Sequence, residues 1–72
     1  MKREPIDSDV IASMGYDPIW KVLEIEFRQS HEICDYFEVP SEEYSGFRNA
    51  ESKGTYLNTI FKTHKYRVER VA

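Results

Sequence analysis

Seventy-two residues with ten Lys/Arg against thirteen Asp/Glu, a net charge of −3, leave room for one domain only. Hydrophobic residues at 40% and charged residues at 32% describe a folded globular chain and exclude a disordered one. The single cysteine excludes a disulfide framework, no apolar run spans a membrane or marks a secretory leader, and a cytoplasmic location is expected.

Residues 1–8 read as a polar lead-in, and 9–72 as a single domain. From Val10 to Tyr16, Val10, Ala12, Met14 and Tyr16 alternate with Ile11, Ser13 and Gly15, which predicts a first strand. Asp17-Pro18 is turn chemistry, because Pro18 keeps the residue before it out of the helical region. "KVLEIEF" then gives a second strand, with Leu23, Ile25 and Phe27 on one face and Val22, Glu24 and Glu26 on the other. "RQSH" is a break of hairpin length, and "EICDYFEV" supplies a third strand with mixed faces. Short connections make these three an antiparallel meander.

Pro40 ends the strand run, since proline donates nothing to a ladder. Ser41 is the expected N-cap of a first helix, Glu42 and Glu43 suit its dipole, and Tyr44 and Phe47 are spaced for burial. A second helix is expected from Ser52, with Tyr56, Leu57, Ile60 and Phe61 forming its apolar stripe. "YRVERV" alternates again and predicts a C-terminal edge strand whose charges discourage further pairing. The whole reads βββααβ, an α+β domain with helices against one sheet face.

Taken in order, "MGYD", "LEIEF", "YFEVP", "SEEY" and "AESKGTYLNTIF" followed by an aromatic-basic end resemble the KTSC domain. That family is named for the C-terminus of some lysyl-tRNA synthetases, and its members also stand alone as small bacterial proteins. The resemblance covers Val10 to Val71, and Tyr36-Phe37-x-Val39-Pro40 and Ser52-Lys53-Gly54 with Asn58 carry most of it. It implies the α+β fold and, through the synthetase context, RNA as a partner. Two positions depart from the family pattern. Cys34 stands where a Tyr-x-Tyr motif has its first tyrosine, and Glu38 stands where a glycine commonly precedes Val-Pro.

Charge is divided along the chain, with −7 over residues 1–51 and +4 over residues 52–72. Lys53, Lys62, Lys65, Arg67 and Arg70 are interleaved with aromatics including Tyr66. Cations on phosphates with rings stacked on bases would give weak, salt-sensitive binding to RNA. The rival reading is a protein-interaction or self-association module using the sheet face without helices, with Val22, Cys34 and Tyr36 as its surface.

Ser52-Lys53-Gly54 offers helix-start amides and a lysine to an anion, but no glycine-rich loop precedes it, Glu51 would repel an anion, and a serine cap with close packing at Gly54 explains it better. His31 and Cys34 lie three apart on a strand, hence on opposite faces, so no metal site is expected. Acidic neighbours would leave the Cys34 thiol unreactive. Neither a cofactor nor an enzymatic activity is expected.

Overall fold

The computed structural model describes residues 1–61 and 63–72; Lys62 and the side chain of Ile60 lie outside the described residues. Its strands are β1 (Glu4–Pro5), β2 (Ile11–Asp17), β3 (Val22–Phe27), β4 (Ile33–Tyr36) and β5 (Val68–Arg70). Two helical segments separate β4 from β5: α1 (Ser41–Asn49), and α2 (Lys53–Tyr56), which runs on as a π-helical turn over Leu57–Phe61. All five strands pair antiparallel in sequence order, so the sheet is a meander whose last connection carries both helices. The α+β class, the strand-then-helix order and the closing edge strand match the sequence reading. The polar lead-in also contributes β1, a two-residue edge strand on β2.

The helices cover one sheet face, and the core lies between. Ile11, Met14, Leu23, Ile25, Val39, Phe47, Leu57 and Phe61 are buried there. Leu23 and Ile25 take the face that the β3 alternation assigned them. In β2 the alternation is broken. Ile11 pairs with Phe27 and Ser13 with Glu26, so Ala12 is an extra residue and the strand bulges. The bulge brings Ile11 to the same face as Met14, where simple alternation had set them apart, and Val10 is left partly exposed outside the strand.

Aromatic rings dominate the packing. Tyr44 stacks on Tyr16 with centroids 4.5 Å apart, and Phe47 meets Phe61 at 5.3 Å. Of the two side chains expected to be buried, Phe47 is buried and Tyr44 is partly buried. Ser41 is not the cap of α1; Pro40 holds that position, and its carbonyl accepts from the Glu43 amide at 3.0 Å. Ser52 does cap α2, accepting from the Thr55 amide at 3.2 Å. A Cβ on Gly54 would lie 2.8 Å from Val10 Cγ2, so this glycine lets α2 sit directly on the chain entering β2.

The third strand stops at Tyr36, short of the predicted Val39, because Glu38 adopts φ +57° and turns the chain. The turn returns Val39 to the core, where its amide donates to Lys21 O at 2.9 Å and its carbonyl accepts from Tyr16 Oη at 2.5 Å. A left-handed backbone explains why glycine suits this position, since a side chain there costs roughly 1–2 kcal/mol. Glycine loses about 0.5–1 kcal/mol in chain entropy on folding. Glu38→Gly is therefore expected to stabilise the fold by up to about 1 kcal/mol, read as a higher urea midpoint at unchanged m-value; a lower midpoint would mean that the Glu38 side chain makes a contact worth more than the strain.

Candidate functional site

Lys62 lies outside the described residues, and the other cations singled out in the sequence do not converge. Lys53 Nζ donates to Ala50 O at 2.8 Å, and the shallow depression beside it also carries Asp7, Asp9 and Glu51. With three carboxylates around one committed ammonium, the Ser52-Lys53-Gly54 start has the wrong field for an anion. Lys65 is exposed in a left-handed turn. Arg67 lies over the Phe37 ring at 4.1 Å and 3.4 Å from Glu69, while Arg70 pairs with Glu32 at 3.1 Å. Three residues apart along an extended edge, Arg67 and Arg70 point to opposite faces.

Tyr66 belongs to a different arrangement. Its ring packs on Phe61 at 4.8 Å and its hydroxyl donates to Glu43 Oε1 at 3.2 Å. Glu43 also accepts from Tyr56 Oη at 2.5 Å and contacts His64 Nδ1. Burial first, and then the Glu43 carboxylate, push both tyrosines up to about 12, so they stay protonated as donors. This cluster ties α1 to the end of α2 and the segment leading into β5.

The proposed interaction surface also needs correction. Tyr36 pairs with Leu23 and Cys34 with Ile25, so both side chains share the helix-covered face with those core residues. Tyr36 meets Phe61 edge-on at 4.9 Å, and that contact fixes the orientation of β4. Only Val22, opposite Asp17, stands on the open face. Burial, reinforced by Glu32, raises the Cys34 pKa, with Arg70 opposing, which leaves a thiol and not a nucleophile.

What sequence reasoning missed is the chemistry of the open face. Ser13, Asp17, Glu24, Glu26, Asp35 and Glu69 occupy it by register. The N-terminal segment crosses its edge. Gly15 makes this possible, because a Cβ there would stand 2.3 Å from Lys2 O. Arg3 then reaches Ser13 Oγ at 3.0 Å and Glu24 Oε2 at 2.6 Å, while Ser13 donates to Glu26 Oε1 at 2.8 Å. Glu24 is 9% exposed and is the one polar or charged side chain counted as buried among the described residues.

Glu24 sits across from Asp35 in the register, and two carboxyls set side by side favour holding a proton between them. Burial acts to raise Glu24, but the proton shared from Asp35 and the Arg3 guanidinium outweigh it and hold that carboxyl below its ordinary value. Asp35 moves the other way. Burial, the proton shared with Glu24 and the Glu24 charge push it up to about 6 against the pull of the Met1 amino group. Its Oδ1 is shut off from solvent with no donor beside it. The alternating glutamates of "LEIEF" were visible in the sequence as a solvated face. Their pairing with Asp35 depends on the register of β4, which no local pattern gives.

A carboxyl whose folded pKa exceeds its unfolded value of 3.8 binds its proton more tightly in the folded state. Its ionisation therefore destabilises the fold as pH rises from that value through about 6. Asparagine keeps a donor toward Glu24 and cannot ionise. Asp35→Asn is expected to gain about 1–2 kcal/mol at pH 8 and almost nothing at pH 4. Thermal unfolding at both pH values checks this, and an equal gain at each would rule out charge as the cause.

Among the described residues no helix is long and apolar enough to cross a membrane, and no three His, Cys, Asp or Glu side chains are grouped to hold a metal ion. The model of the KTSC domain matches residues 7–66. An uncharacterised protein of Stutzerimonas stutzeri (strain A1501) is 38% identical over 71 residues, covering 99% of each chain. A protein of Tsukamurella paurometabola is 36% identical over 59 residues, covering 82% of this chain and 87% of its own. The crystal structure of a KTSC domain protein from Yersinia pestis superposes with a TM-score of 0.90 at 34% identity, over 99% of this chain and 97% of that one. None of these relatives names a catalytic family. With a matching family model, relatives along its whole length and a shared fold, the chain belongs to the KTSC domain family.

Proposed function

We propose that this KTSC domain is a non-catalytic binding module that receives a basic segment of a protein partner on its open sheet face. The observation that supports this reading is the charge of that face. Asp17, Glu24, Glu26, Asp35 and Glu69 stand on it, faced among the described residues by Arg3, Arg67, Lys2 and the Met1 amino group. A surface with an excess of one sign steers an oppositely charged partner and disfavours a like-charged one. Val22, Ile33 and Phe37 lie among the carboxylates and offer apolar area for the stems of long cationic side chains.

RNA is the second reading, favoured by one contact. Arg67 stacked on Phe37 at the β5 edge, with Lys65 nearby in the chain, joins an aromatic face to a cation as single-strand binders do. The acidic face beside it opposes phosphate. Two engaged cations would give a shallow salt slope of about −1.4.

The experiment titrates the chain with labelled hexalysine and labelled single-stranded RNA at two salt concentrations, mapping amide shifts. Hexalysine is expected to move β3 and β4 amides at low salt, and a Glu24→Gln, Asp35→Asn double variant to weaken it about fivefold or more. RNA binding that disappears in a Lys53, Lys65, Arg67→Glu variant, with no response to hexalysine, would overturn the protein reading in favour of RNA.

A further inference from the structure

We infer that the depression between Trp20 and the Glu24–Asp35 pair is a pocket for an arginine side chain carried by the protein partner. The inference rests on the basic-partner reading and narrows it to one place and one side chain. Trp20 is 76% exposed and Ile19 is 83% exposed, the most exposed large apolar side chains among the described residues. A free tail would explain such exposure, but these residues sit in a built turn. Asp17 Oδ1 accepts from the Ile19 amide at 2.9 Å and the Trp20 amide at 3.2 Å, so the β2–β3 turn holds the indole outward. The indole forms one wall of a shallow depression of about 580 Å³, with Val22, Glu24 and Asp35 also lining it.

Aromatic wall and acidic lining together select for a cation, and among cations for a planar one. A guanidinium stacks on an indole and forks onto a carboxylate at once, whereas an ammonium offers only a point charge. The same site already accepts this chemistry from within the chain, because the Arg3 guanidinium meets Glu24 Oε2 at 2.6 Å. Arg3 leaves Asp35 Oδ1 without a donor. Met1 and Lys2 line the same depression and are exposed, so an incoming arginine competes with them for the carboxylates while Trp20 gives it the stacking that they lack.

Trp20 is the chain's single tryptophan, so its emission reports on this pocket alone. The full chain is titrated with an acetylated Gly-Arg-Gly-Arg-Gly peptide, its lysine counterpart and its citrulline counterpart, following Trp20 emission and amide shifts together. The arginine peptide is expected to shift the emission and to bind at least threefold tighter than the lysine peptide, with citrulline silent. Asp35→Asn and, by amide shifts, Trp20→Leu should each weaken the arginine peptide about fivefold, and far-ultraviolet dichroism verifies that both variants fold. Amide shifts on β3 and β4 with unmoved emission and no loss in Trp20→Leu would overturn this pocket while leaving the acidic face as a binding surface. Silence in both signals would overturn both. Emission that changes with protein concentration alone would make a second copy of the chain the occupant, and would overturn the inference too.

Discussion

Phe47 and Phe61 hold the helices to the sheet, and their rings draw Tyr56, Tyr36 and Tyr66 into contact with them. A chain this short has few side chains to spend on a core, so large flat rings supply most of the buried area. One consequence reaches across the sheet. Because Tyr36 is taken by Phe61, β4 must present Cys34 inward and Asp35 outward. The carboxyl pair on the open face is thus a by-product of an aromatic contact on the covered one. A packing demand on one side has set the electrostatics of the other.

Much of the fold was legible because its signals are local. Leu23 and Ile25 announce their face through a clean period of two, Ser52 announces a helix start, and Gly54 announces close packing. The Ala12 bulge was not legible, since one extra residue leaves no mark on composition and only the pairing with β3 reveals it. The faces of β4 were ambiguous for a related reason. "ICDYF" places an apolar residue on each side, and the choice rests on Phe61, some two dozen positions further on. The β1 strand, formed by Glu4 and Pro5, carries no strand pattern at all and is held by Arg3 on Glu24.

The candidate site shows the same limit in electrostatic form. Five cations crowd into the last third of the chain, and the four among the described residues form a cluster in sequence only. In space Arg67 and Arg70 part to opposite faces, each beside a carboxylate, and Lys53 turns to a backbone carbonyl. Charges arranged in this way suit an edge strand that must not pair further, which is a structural use for them. Conversely Arg3, Glu24 and Asp35 are far apart in the chain and adjacent in the fold. Charge counted along a sequence is a poor guide to charge on a surface when strands alternate their faces.

The place of β5 in the meander also shapes how the chain can fold. The β2–β3 and β3–β4 hairpins close across turns of a few residues, but the pairing of Tyr36 with Val68 closes a loop that contains both helices. Closing a loop of about thirty residues carries an entropic penalty that short hairpins escape. Three exposed residues cannot offset it alone, so β5 pairing follows the docking of Phe61 and Tyr66 and does not precede it. The last strand of the sheet is therefore a reporter of helix docking. Protection of the Val71 and Ala72 amides, both bonded to Ile33 O, marks the moment at which the helices have closed over the core.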